Sequence, residues 1–336
     1  MGVQGVCTGN TEINKNLTVV GQPVKGSSTP TLQGTGSGSV LTVDTVATLS
    51  LNSLKITGGN AASGGGIVSN AGTVNLSGDT VSGNSATDGG GISASGGTVN
   101  LSGGTISGNS ATDGGAGIFN DEGTVNMTGG TISGNSAPTG GGIYDLGSAT
   151  LNLSGGTISG NSATQGGGIS AAGGTINMSG GTISTNTATD GGGIYNFENG
   201  GTINMSGGSV TANSATLGGG IYTKGGDATL NLSGGTVSSN SATQNGGGIY
   251  NDNSTVNLNT GAVSGNSATS GGGIYNDNAT VALNGGAISD NTATSSNGGG
   301  GIFNNSGLLS GTSTTMTGNS PQDVCPAYNS YTSTGC

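Results

Sequence analysis

The residues able to do acid–base or electrophilic chemistry are few and scattered. The 336-residue chain has no histidine, and its four basic residues are all lysine: Lys15, Lys25, Lys55 and Lys224. Eliminating a polysaccharide needs a base facing a substrate carboxylate, and no lysine is grouped with acids for that task. Glycoside hydrolysis needs two carboxyl groups at a fixed separation, one held protonated. Asp121 and Glu122 are the one adjacent acidic pair among the 15 acids, and the rest are single turn residues. Asp88, Asp113 and Asp190 each precede a glycine-rich corner, but Gln165, Leu217 and Ser270 take that place in other repeats. A calcium-binding roll needs its aspartate in every repeat, so these read as solvated turn residues. The pattern argues for a non-catalytic chain with no metal and no cofactor.

A second group of residues could bind rather than react. Tyr144, Tyr195, Tyr222, Tyr250, Tyr275 and Phe303 each follow an isoleucine in a recurring GGGI segment, as Phe119 does in GAGI, and Tyr195 to Phe303 form an unbroken series of five. If the isoleucine faces inward, strand alternation turns the ring outward. Such a column would offer ring faces to a glycan or a surface protein, or would simply stack and strengthen neighbouring strands. Variation in repeat length falls on both sides of this segment, as in TDGG, TQNGG and TSSNGGG before it and YNDNS, YNFENGG and YTKGGDA after it. Variable insertions in solenoids tend to map to one face, often the binding face.

The elements that position these rings come from the repeat itself. Glycine supplies 77 residues, and 29% of the chain is hydrophobic. Without a period that composition would signal disorder. The period is clear. The isoleucines at 67, 92, 118, 143, 169, 194, 221, 249, 274 and 302 recur every 25–28 residues. Each repeat carries three short β-rich signals, of the types GGGI, TVNL and GTIS. Val99 and Leu101 alternate with Thr98, Asn100 and Ser102, the two-residue period of a strand with one buried face. Three strands in a coil of about 25 residues predict an all-β, right-handed parallel β-helix, in which inward ladders of Ile, Val and Leu form the core only through stacking. One domain is expected over 1–336, with irregular coils at 1–63, regular coils at 64–319 and a tail or cap at 320–336.

A further row stands three residues after each apolar residue of the third strand: Asn84, Asn109, Asn135, Asn161, Asn186, Asn213, Asn240, Asn266 and Asn291, with Asn319 as an echo and Gly59 where the row would begin. Identical amides one coil apart could bond along the stack. Alternatively, each asparagine could occupy a left-handed turn position. Either way the row is structural. The recurring N-L-S and N-M-S triplets, as at Asn100, match a glycosylation sequon, but they sit in strands where the fold itself asks for them.

Net charge is −11 and no basic cluster exists, so nucleic acid is not an expected partner. No apolar run is long enough to span a bilayer, and the first residues, MGVQGVC, show no signal-peptide pattern. Cys325 and Cys336 lie eleven apart in the non-repeating tail, which favours a local disulfide and an oxidising compartment; Cys7 is left over.

The pieces KNLTVVG, SVLTV, LKITGGNAA, GGGIYN…TVNLSGGTISGNSAT and TGNSPQDVC resemble the β-helix repeat proteins of bacterial surfaces, including the polymorphic outer-membrane-protein type of repeat. The resemblance spans nearly the whole chain and implies a secreted or surface-displayed right-handed helix. The expected function is display and adhesion, with glycan contact along the aromatic GGGIY face. The alternative is a structural or filament component stacking end to end. A third reading is ice binding through the Thr-x-Asn-x-Ser face of the TVNL strands.

Overall fold

The computed structural model describes residues 1–23, 29–197 and 200–325. Among them every regular element is a strand. Three parallel sheets of thirteen strands each run the length of the molecule, and no strand pairs with its neighbour in sequence. Successive strands of one sheet come from successive coils. In one coil, Ile92–Ser95 belongs to the GGGI sheet, Thr98–Leu101 to the TVNL sheet and Gly104–Ser107 to the GTIS sheet. This is the expected β-solenoid, about a dozen coils stacked at roughly 4.8 Å per step and therefore about 60 Å long.

Register is strict. Val99 pairs with Val74 below and Val125 above, and Ile92 with Ile67 and Ile118. Stacking therefore turns a weakly apolar repeat into continuous apolar columns. Ile92, Val99, Leu101 and Ile106 join one cluster that extends from Val3 to Val324. The stretches KNLTVVG, SVLTV, TLSL and LKITGG enter the same three sheets through Leu17–Gly21, Leu41–Val43, Thr48–Asn52 and Lys55–Thr57. Because each coil contacts only its neighbours, a small core change acts locally. Ile183 is fully buried between Ile158 and Val210. Ile183→Val should lower stability by about 0.5–1.5 kcal/mol, read as a reduced melting temperature with an unchanged far-ultraviolet spectrum.

The structure adds a short fourth strand at the S-A-T corner. Asn60–Ser63, Ser85–Asp88 and Ser110–Gly114 pair in one small sheet. Ser214–Leu217, Ser241–Asn245, Ser267–Ala268 and Thr292–Ala293 form another. Isolated bridges such as Ser136↔Ser162 and Ser162↔Thr187 connect the series between them. The corner then reverses through glycine. In Gly191-Gly192-Gly193 the first residue has φ +63°, and a Cβ on the third would lie 2.6 Å from the Gly220 carbonyl oxygen of the next coil. Only glycine satisfies both demands.

Cys325 lies in the last strand of the GGGI sheet, Val324–Cys325, and is in a disulfide; Cys7 is a free, exposed thiol. Cys336 and most of the expected 320–336 cap lie outside the described residues.

Candidate ligand-contact face

Alternation does turn the aromatic column to the outside of the GGGI sheet. Tyr195 pairs in register with Tyr222, Tyr222 with Tyr250, Tyr250 with Tyr275, and Tyr275 with Phe303. Successive ring centroids lie 4.7–5.1 Å apart. Phe119 and Tyr144 form a separate edge-on pair at 5.6 Å. The sheet spacing nearly equals the contact distance between aromatic rings, so rings stacked one coil apart touch without adjustment of the backbone.

The expectation of a uniformly exposed column is corrected. Tyr195, Tyr222 and Tyr250 retain only 3%, 4% and 7% of their surface, and pack as a satellite cluster with Phe197, Leu217 and Tyr275. Each ring is covered by the rings of adjacent coils and, locally, by the corner side chain of Leu217. Tyr144, Tyr275 and Phe303, together with Phe119, are half-buried. Accessible ring surface on this face therefore remains at Phe119 and Tyr144, at Phe197, and at the Tyr275–Phe303 end of the column.

Two aspartates of the GGGI strands are bonded to the column itself. The Tyr222 hydroxyl donates to Asp252 Oδ2 at 3.0 Å, and the Tyr250 hydroxyl to Asp277 Oδ2 at 2.9 Å. Each bond runs diagonally from one coil to the next. Burial, reinforced by these carboxylates, pushes both phenols well above the ordinary tyrosine range. Burial and Asp277 also raise Tyr275. Tyr222→Phe should cost about 1–2 kcal/mol, because a hydrogen bond to a charged group is lost in a partly shielded place. A double-mutant cycle with Asp252→Asn should show coupling between the two sites. Additive effects would mean that the bond contributes nothing.

Three polar rows lie beside the apolar columns. The predicted asparagine ladder is present. Asn135 is typical: its Nδ2 donates at 3.0 Å both to Asn161 Oδ1 and to the Ile106 carbonyl, while its backbone N–H donates to the same Asn161 Oδ1. The row begins with the Gly59 N–H donating to Asn84 Oδ1, and continues past Asn291 to Asn319, whose Nδ2 donates to Asp323. The left-handed position belongs to the preceding residue, for example Gly160 (φ +62°), Thr185 (φ +56°) and Ala212 (φ +54°). The asparagines are therefore bonding elements, and the turn-residue alternative is corrected.

A second amide row runs along the outer face of the TVNL sheet. Nδ2 of Asn100, Asn126, Asn152, Asn177, Asn204, Asn231 and Asn257 each donates to the amide one coil below, at 2.8–3.0 Å. The sequon nitrogen of Asn100 is thus a working donor in the stack. Sequence reasoning treated this row as a sequon or a water-ordering array, although its one-coil recurrence was the same signal that revealed the first ladder.

The third row was missed. The residue two after the GGGI isoleucine faces inward and is buried in every coil from Ser69 to Asn276, with Asn120, Asp145, Asn196, Thr223 and Asn251 among them, and is half-buried at Asn304. Asn276 shows its role, with Nδ2 donating to Asn304 Oδ1 at 2.7 Å and to the Ala279 carbonyl at 3.0 Å. Asn196 likewise donates to the Gly201 carbonyl. At Asp145 the row carries a carboxyl group. It accepts from Asn120 Nδ2 at 2.8 Å, its Oδ2 has no partner, and burial pushes its pKa up to about 7.

The corner aspartates do not assemble an ion site. Burial and the nearby Asp113 carboxylate raise Asp88, whereas burial raises Asp190 and Lys224 opposes that shift. Among the described residues, no three His, Cys, Asp or Glu side chains converge as a metal centre, and no helix could cross a membrane. No protein-family profile, curated protein or solved structure matches the chain.

Proposed function

We propose that the protein is a non-catalytic display rod of the bacterial cell surface or exterior, and that it adheres to glycans through the GGGI face. The observation that carries this reading is the aromatic column. Rings concentrate on one outward face, and half-buried rings remain at both ends of the series, at Phe119 and Tyr144 and at Tyr275 and Phe303. The corners that vary in length border the same face. The resemblance of the GGGI and GNSAT elements to polymorphic outer-membrane-protein repeats supports surface display. Half-exposed aromatic edges offer apolar contact to sugar rings, while the exposed Asn305, which donates to Asp277 at 2.8 Å, adds a polar amide at the rim.

The test is a broad glycan array probed with the wild-type chain and with the Tyr275→Ser/Phe303→Ser variant. Serine already stands at the register-equivalent positions Ser93 and Ser170. Wild type should bind a restricted set of glycans, and the variant, checked for folding by circular dichroism, should bind at least tenfold more weakly. No binding by wild type would refute the reading.

End-to-end assembly is the second reading. It is favoured by the strict coil-to-coil register of the three sheets, in which each coil offers the next the same parallel backbone pairing. A coil of a second copy could be added through the same pairing. Light scattering over a concentration series would then show particles growing in steps of one rod.

A further inference from the structure

The aromatic column is interrupted once within the regular coils, and the place where it restarts has a different character from the rest. Ser170 and Ala172 stand in register below Tyr195 and Phe197, so neither ring has an aromatic neighbour in that coil. The two rings stack on each other instead, with centroids 4.7 Å apart and planes within 22°. Phe197 lies in the outward row that also holds Asp121, Leu146, Ala172, Lys224, Asp252 and Asp277, and it remains half-buried. Its packing partner is the satellite tyrosine cluster and not the main core, because that row lies outside the latter.

Directly above Phe197 in register is Lys224, the one lysine within the regular coils. At the Tyr222 and Tyr250 levels, the diagonal neighbour in the next coil is an aspartate that accepts a hydrogen bond from the phenol. At the Tyr195 level that position holds Lys224, a cation in place of the aspartate. Tyr195, Phe197, Lys224, Gly225 and, from the corner of the coil below, Gln165 line a cleft of about 380 Å³. A stacked apolar wall faces a flexible ammonium donor and an amide that both donates and accepts.

We infer that this cleft is a sugar-binding subsite, and that it takes one unit of a neutral glycan. The inference rests on the glycan-adhesion reading above and specifies its location and ligand class. The volume lies in the range of small-molecule sites, which combine apolar lining with a few placed polar groups. A pyranose has an apolar C–H face to lay on Phe197 and a rim of hydroxyl groups to meet Lys224 and Gln165. The charge balance selects a neutral ligand. Lys224 is followed in register by Asp252 and is close enough to influence Asp190, so the surroundings are net acidic and repel a sugar carboxylate.

The experiment uses the full chain on an array carrying neutral and acidic oligosaccharides, with Phe197→Ala and Lys224→Ala compared with wild type and with Tyr275→Ser/Phe303→Ser. Lys224 is exposed, so its replacement leaves the fold intact; melting temperature checks Phe197→Ala. The inference expects neutral glycans to bind, each of the two cleft variants to lose at least tenfold in affinity, and raising salt from 50 to 500 mM to leave wild-type binding within twofold. Neutral-glycan binding that both cleft variants retain, while the Tyr275/Phe303 variant loses it, would overturn the subsite and leave the adhesion reading standing. Binding confined to acidic glycans and abolished by salt would overturn the ligand class. An array that wild type leaves unmarked would overturn both.

Discussion

Replacing Asp145 by asparagine should stabilise the protein at pH 8 and have little effect near pH 4. Asp145 is fully buried in a row where the equivalent side chains Asn196, Asn251 and Asn276 donate to a turn carbonyl. An ionised carboxylate has no proton to donate, and burial raises its pKa from 3.8 to about 7. The sign follows from proton binding. Below about pH 4 both folded and unfolded chains carry the proton, and Asp145 costs nothing. Between about pH 4 and 7 the unfolded state has released it while the folded state retains it, so stability falls as pH rises. Above about pH 7 the whole penalty is present. Three pKa units correspond to about 4 kcal/mol as an upper bound. Asp145→Asn removes the penalty and supplies the missing donor. Thermal melts of both proteins at pH 4.5, 6 and 8 should diverge progressively. A variant that is less stable than wild type at pH 8 would show that the carboxyl group is better accommodated than its orphaned Oδ2 indicates.

Breaking the inner amide ladder should have an effect of similar size and opposite sign. Asn161 Oδ1 accepts from both the backbone N–H and Nδ2 of Asn135, and its own Nδ2 donates to the Ile132 carbonyl and to Asn186 Oδ1. Asn161→Ala strands two buried donors of Asn135, at about 1–3 kcal/mol each, and leaves a void. The expected loss is about 3–5 kcal/mol by thermal or urea unfolding. Asn100→Ala is the matched control. Asn100 belongs to the outer row, is half-buried and exchanges the same kind of amide bonds. Water can replace those bonds, so the loss should stay below about 1 kcal/mol. Equal losses at the two positions would show that the inner ladder owes nothing to its burial.

These two predictions mark where the sequence was legible. The coil, its strands and its core followed from alternation and a fixed step, because Val99 and Ile106 can both face inward at only one register. The inner ladder followed from recurrence of one residue type. The row containing Asp145 carried the same alternation signal, two residues after each GGGI isoleucine, but its residue types vary between Ser, Ala, Asn, Asp and Thr. Variation of type concealed constancy of position. The burial of Tyr195, Tyr222 and Tyr250 was hidden for another reason. Alternation tells which way a side chain points, whereas its exposure depends on the volume of neighbours in adjacent coils. Three consecutive tyrosines cover one another, and Leu217 adds to the cover. The Phe197 cleft depends on a break in that series, at Ser170 and Ala172, whose meaning appears only when the coils are placed in register.

Adhesion through the GGGI face would leave a bound glycan covering that face and not the ends of the rod. Hydroxyl-radical footprinting of the wild-type chain, alone and bound to the best glycan from the array, addresses it directly, since aromatic and methionine side chains are the most reactive reporters. Phe197, Tyr275 and Phe303 report on the face, and Met1, 76% exposed, reports on the first coil. Glycan should lower labelling of the aromatic reporters and leave Met1 unchanged. Protection of Met1 with unaltered labelling of Phe197, Tyr275 and Phe303 would contradict adhesion through that face.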